Sequence, residues 1–199
     1  MTWWGTDLGD SKGDFRDPKR KFKFLVEFGK GGRLFAIKST SKPSVTVKTD
    51  QYKMINHYFN YPGLVEWDPI TMTLVDFGTF GDDAKRGAGS TSKKLWDLLT
   101  SSGYRVPGDA PDGDVTTPEK KSMVDAFESI IIYQIDSGFA SSTKKNQINW
   151  TEKWELKNPI ITKISWGELD YSSEELVEYS LEIKYDWAEY ESGPKPYEQ

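Results

Sequence analysis

The stretch Val177-Glu178-Tyr179-Ser180-Leu181-Glu182-Ile183-Lys184-Tyr185-Asp186-Trp187 alternates without a break between apolar or aromatic side chains and polar ones. A period of two belongs to a β-strand with one buried face, not to a helix. Val177, Tyr179, Leu181, Ile183, Tyr185 and Trp187 should be buried, and Glu178, Glu182, Lys184 and Asp186 should meet water. Working outward, residues 148–156, which carry Trp150 and Trp154, and residues 159–166 read as further strands. Residues 129–136 include Ile130-Ile131-Ile132-Tyr133 and lack alternation, which predicts a strand covered on both faces. At the other end of the chain Phe22, Phe24, Val26 and Phe28 alternate again, and Gly29-Lys30-Gly31-Gly32 turns into a short return strand over 33–38. These glycines do not make a phosphate loop, because the Lys-Ser/Thr ending and the following helix are both missing.

The middle of the chain completes the pattern. Val45 and Val47 open a long amphiphilic stretch through residues 50–59 that fits an extended hairpin arm turning at Tyr61-Pro62-Gly63. Residues 67–75 then resume strand alternation, with Ile70, Met72 and Leu74 on one face. Helix signals are few. Ser90 or Thr91 can cap a helix to about Thr100 with Leu95, Trp96, Leu98 and Leu99 on its apolar side, and Thr117-Pro118 opens a short second one ending near Phe127. The expected fold is mainly β: a barrel or sandwich of two packed antiparallel sheets with one main flanking helix and an extended hairpin arm. Residues 1–20 read as an N-terminal arm, 21–191 as one domain with a Pro/Gly/Asp-rich insertion at 104–118, and 192–199 as a loose tail.

Composition narrows the chemistry. The 199 residues contain no cysteine and one histidine, which excludes disulfides, thiolate metal sites and multi-histidine metal sites. Net charge is -5, so nothing domain-wide invites nucleic acid. No stretch approaches the roughly 20 apolar residues of a membrane span, and no membrane partner is expected. Charge is nevertheless uneven: the first fifty residues hold eleven Lys/Arg against six Asp/Glu, whereas residues 166–191 hold nine acids and one lysine. That asymmetry suits copies meeting head to tail. His57, among Asn56, Tyr58 and Asn60, reads as an interface or core residue rather than a general base. Asp109, Asp112 and Asp114 miss the EF-hand spacing. No catalytic constellation emerges, so the chain reads as non-enzymatic, without cofactor or metal ligands.

Residues 158–187 carry a more specific signal. Asn158-Pro159-Ile160-Ile161-Thr162-Lys163-Ile164-Ser165-Trp166 leads through Asp170-Tyr171-Ser172-Ser173-Glu174 into the alternating strand, which ends in Tyr185-Asp186-Trp187. This resembles the end of the tail tube proteins of contractile-tailed bacteriophages, and Lys42-Pro43, the arm, the 67–76 strand and the helix around Leu95 are compatible with the same family. The resemblance implies hexameric rings stacked head to tail into an inner tube, in a virion tail assembled in the host cytoplasm. It also implies a sheath outside, a baseplate and a tail terminator at the ends, and a lumen holding a tape measure protein and then phage DNA without specific binding. On that footing Tyr52, Met54, His57, Tyr58 and Phe59 of the arm, with Trp3 and Trp4, are expected at contacts between subunits or rings. Glu178, Glu182 and Asp186 are expected to line the lumen, where acidic side chains would let DNA pass. The inner tube of a non-phage contractile injection system, or a carbohydrate-binding β-sandwich, is the alternative.

Overall fold

The computed structural model describes residues 19–29, 32–34, 37–76, 90–106, 116–135, 150–172 and 174–193. In chain order the elements are β1 (Phe24–Phe28), β2 (Gly32–Leu34), β3 (Ile37–Thr40), β4 (Val45–Met54), β5 (His57–Trp67), β6 (Ile70–Val75), α1 (Thr91–Ser101), α2 (Lys120–Phe127), β7 (Ser129–Ile135), β8 (Trp150–Lys157), β9 (Ile160–Ser165), β10 (Glu178–Lys184) and β11 (Trp187–Ser192). One sheet runs β11-β8-β7-β1-β2 and a second runs β3-β6-β10-β9, while among the described residues β4 and β5 pair only with each other. Every pairing is antiparallel. The two sheets make a sandwich, and the described strands do not close into a barrel.

The inward side chains come from strand alternation. Val26, Phe28, Ile130, Ile132 and Leu156 of the five-stranded sheet meet Ile70, Met72, Leu74, Leu181 and Ile183 of the four-stranded one. Two helices border this core, with Leu95 of α1 and Phe127 of α2 buried in it. The Phe127 ring lies 6.0 Å from that of Phe28. Ser90 caps α1, its hydroxyl accepting from the Lys93 N–H at 3.4 Å. α2 begins later than Thr117-Pro118 implies, because the Glu119 N–H is drawn to the Ser102 carbonyl, and Glu119 itself takes the cap position.

The alternating stretch that opened the sequence reading is two strands, not one. β10 belongs to the four-stranded sheet and β11 to the five-stranded sheet, so the chain changes sheets at Tyr185-Asp186. The corner is held by the Asp186 N–H bonding the Lys157 carbonyl, and by the Asp186 carboxylate accepting from Lys120 Nζ and Asn158 Nδ2. The turn of direction frees Trp187 from the buried face, and it is 44% exposed. β1 differs in a similar way. Phe22 precedes the strand and is exposed, whereas Leu25 is buried opposite Val26 and Phe28.

The hairpin arm is present, but its turn is elsewhere. Met54 pairs with His57, so the chain reverses at Ile55-Asn56. Ile55 takes φ 56°, a left-handed conformation that costs an L-residue with a branched Cβ about 1–2 kcal/mol. Pro62-Gly63 lies inside β5 instead. There the pairing steps from Val47↔Val65 to Thr49↔Pro62, so β5 spends one residue more than β4, which is a β-bulge. Gly63 suits that position, since a Cβ there would approach the Lys48 carbonyl oxygen to 3.1 Å.

Candidate functional site

β3 pairs with β6 and β4 with β5, so residues 37–75 form one long hairpin whose outer half leaves the sheet. Ten residues of β4 at about 3.4 Å each carry its tip roughly 30 Å beyond the sandwich. Along that length every side chain of β4 and of β5 is exposed, except Trp67 at the root. The register assigns the faces. Val45, Val47, Val65 and Trp67 share one face near the root, where the Trp67 ring lies 5.9 Å from Tyr185. Beyond the bulge Tyr52, Met54, His57, Phe59 and Tyr61 share the opposite face. His57 meets Phe59 edge-on at 5.0 Å, and Lys53 sits 5.9 Å over the Tyr58 ring on the other side. The structure therefore brings Tyr52, Met54, His57 and Phe59 together into one exposed apolar face and sets Tyr58 on its reverse. Trp3 and Trp4 lie outside the described residues.

A carboxylate that the sequence reading passed over fixes the root of the arm. Glu152 of β8 is 8% exposed and stands on the inward parity of its strand, with Trp150, Trp154 and Leu156. It accepts from Lys42 Nζ at 2.7 Å, from Lys19 Nζ at 2.6 Å and from Trp154 Nε1 at 2.8 Å. Burial alone would raise its pKa. The hydrogen bonds from Lys19, Lys42 and Trp154 together outweigh that penalty and lower it to about 2. Lys42 lies between β3 and β4, and Lys19 leads into β1, so one buried charge ties the arm and the entering chain to the five-stranded sheet. The signal was legible: a carboxylate in the apolar register of a strand needs partners.

The three acids expected on a common surface are divided. Glu178 and Glu182 stand on the outward face of β10, while Asp186 lies in the corner with Lys120 and Asn158. The Glu178 carboxylate accepts from Lys38 Nζ, and Glu182 is paired across the sheet with Lys163. With Lys184 on the same parity of β10, this outward face carries balanced charge, interleaved with Ser180, Thr71 and Thr73.

The far end of the four-stranded sheet is built differently from the arm end. β6 runs from Ile70, beside the arm, to Val75, which pairs with Glu178, so the two ends are about 17–20 Å apart. From this far end the connection 166–177 leaves β9, exposing Leu169, Tyr171 and Leu176. Gly167 makes the first bend at φ 75°, where a Cβ would stand 2.4 Å from the Glu178 carbonyl oxygen. The Asp170 carboxylate accepts from the Ser172 N–H and hydroxyl, which lowers its pKa. Trp166 meets Tyr179 edge-on at 5.7 Å and lines a cleft with Trp96, Ser92 and Lys93 of α1. Asp109, Asp112 and Asp114 lie outside the described residues. Among the described residues no group of three His, Asp or Glu side chains is placed to hold a metal ion, and no helix is long and apolar enough to cross a membrane.

Neither a protein-family model nor a curated protein sequence matches this chain. Solved structures do. A chain of the PVC sheath/tube terminator, from an extracellular contractile injection system in its extended state, superposes with a TM-score of 0.58 at 15% identity, covering 90% of this chain and 100% of that one. A chain of the sheath–tube complex of the same kind of system gives 0.57 at 15% identity, over 88% and 92%. The tube-terminating cap of the anti-feeding prophage gives 0.57 at 14% identity, over 89% and 93%. The chain shares its fold with these chains of contractile injection systems.

Proposed function

We propose that this chain is a structural, non-enzymatic subunit that builds the tube of a contractile injection system. Residues 21–191 form the body of the subunit, copies of which close into hexameric rings, and the rings stack head to tail. The observation that carries this reading is the arm, whose face of Tyr52, Met54, His57, Phe59 and Tyr61 is an exposed, largely apolar surface that none of the other described residues covers. Among the described residues β2, β11, β3 and β9 are the edges of their sheets, and they support it as well, since an unpaired edge is a liability in a monomer and a joint in a ring. A sheath lies outside such a tube, and a baseplate and a terminator close its ends. Trp3 and Trp4 supply a further contact.

The outward face of the four-stranded sheet lines the lumen in this account. Glu178 and Glu182 are matched there by Lys38, Lys163 and Lys184, and Asp186 is held by Lys120. A charge-balanced, hydroxyl-rich wall is not the acidic coat that would repel a polyanion. It favours a non-phage injection tube over a phage tail tube that conducts DNA, although both use this fold. The test is a deletion of residues 54–61 followed by electron microscopy and sedimentation. The full chain should form rings and stacked tubes, and the deleted chain should stay folded but fail to stack. Stacking that survives the deletion overturns the role given to the arm.

A further inference from the structure

We infer that the basic turn Arg20-Lys21-Phe22-Lys23, which leads into β1, docks on the acidic connection 166–177 of a second copy of this chain. The inference deepens the tube reading and rests on it, but it places a contact on the body of the subunit, apart from the arm. Arg20, Lys21 and Phe22 are exposed, and Lys23 Nζ lies 6.0 Å over the Phe22 ring. Backbone bonds hold the turn in place. The Lys23 N–H donates to the Arg20 carbonyl at 3.2 Å, and Nε2 of the buried Gln134 donates to the Arg20 and Lys23 carbonyls at 2.9 and 2.6 Å. Lys19 is taken up by Glu152, whereas Arg20, Lys21 and Lys23 have no carboxylate partner among the described residues.

The receiving connection has the matching composition. Residues 166–177 contain Glu168, Asp170, Glu174 and Glu175 and no Lys or Arg. Leu169, Tyr171 and Leu176 are exposed among them, so apolar and acidic side chains interleave there as apolar and basic ones do in the turn. Glu175 interacts electrostatically with Lys38, and Lys93 of α1 shares a surface with Trp166. Glu168, Asp170 and Glu174 have no cation partner among the described residues. The two patches occupy diagonal corners of the body. Glu152 sets the turn beside Lys42, which follows edge strand β3 at the arm end, whereas the connection leaves the opposite edge strand β9 at the far end. Strand spacings of about 4.8 Å across the sheet and about 17 Å along it put the patches roughly 20 Å apart. That exceeds the Debye length of about 8 Å at physiological salt, so neither patch neutralises the other within a subunit. A head-to-tail stack brings the arm end of one copy to the far end of the next, where the signs are opposite, while arm end against arm end would set like charges together.

The test exchanges the charges. The variants are Arg20→Glu with Lys21→Glu and, separately, Glu168→Lys with Glu174→Lys, since none of these four side chains has a partner among the described residues. Each should match the parent in urea stability, yet raise the concentration needed for stacking about tenfold or more, as several exposed pairs turn from attraction to repulsion. A chain carrying all four exchanges should stack at a concentration about threefold or more below either two-site variant, because the complementarity returns with its signs reversed. For the parent, the concentration needed should rise steadily with added salt, as screening removes the attraction. Stacking indifferent to salt, a two-site variant that stacks like the parent, or a four-site chain no better than the two-site ones overturns the inference and leaves the tube reading standing. Parent protein that forms neither rings nor stacks overturns the tube reading, and the inference falls with it.

Discussion

Replacing Glu152 with glutamine keeps the shape of the side chain and removes only its charge. In the folded subunit that charge is held by Lys19, Lys42 and Trp154, which lower the carboxyl from an ordinary 4.5 to about 2. At 1.36 kcal/mol per pKa unit the difference is worth ~3 kcal/mol of folding stability at neutral pH. The sign follows from a depressed carboxylate. The contribution is complete above the unfolded value near 4.5, is lost as pH falls through the folded value of about 2, and is absent below both. Glutamine resembles the protonated acid, so Glu152→Gln should destabilise by about 2–3 kcal/mol at pH 7; the lower bound reflects two lysines that are each half exposed and can return to water. The assay is urea unfolding followed by tryptophan fluorescence, on dilute protein that sediments as single subunits, at pH 7, 4 and 3. The gap between the two proteins should close as pH drops from 4.5 toward 2. Equal stability at pH 7, or a gap that does not change with pH, would refute the claim that a buried ionised Glu152 anchors the arm.

Three further outcomes follow from the same packing. Gly167→Ala would place a methyl group 2.4 Å from the Glu178 carbonyl oxygen at a positive φ, and should lower stability by about 2 kcal/mol or more in the same urea assay. Leu181→Ala removes a wholly buried side chain between the sheets and should cost about 3–5 kcal/mol, read as a fall in the urea midpoint. Tyr179→Phe deletes the hydroxyl that donates to Asp76 Oδ2 at 2.7 Å, and thermal melting should register a loss of about 1–3 kcal/mol from the unpaired carboxylate.

The strands were legible because alternation reports burial, and β6, β8 and β10 lie where their apolar parities place them, while a bulge in β9 turns both Ile161 and Ile164 toward the core. What alternation does not report is partnership. Val177 to Trp187 keeps one period in sequence through the corner at Asp186, although the chain changes sheets there and β11 turns Ala188, not Trp187, toward the core. Pro62-Gly63 is a turn signature by local chemistry, but a bulge also needs a residue without Cβ, and the ladder from Met54↔His57 decides between them. Ile55 escaped notice because no propensity argument puts a branched residue at a positive φ. The exposure of the arm's aromatic residues was readable from their amphiphilic stretch, whereas the lysines beside Glu178 and Glu182 come from other strands, β3 and β9.

The most direct test of the central claim is electron microscopy of the purified full-length chain across a concentration series, with sedimentation velocity on the same samples. The account predicts closed hollow rings that lengthen into tubes as concentration rises. A single subunit that stays unassociated up to millimolar concentration, with its arm face still open to solvent, would contradict it.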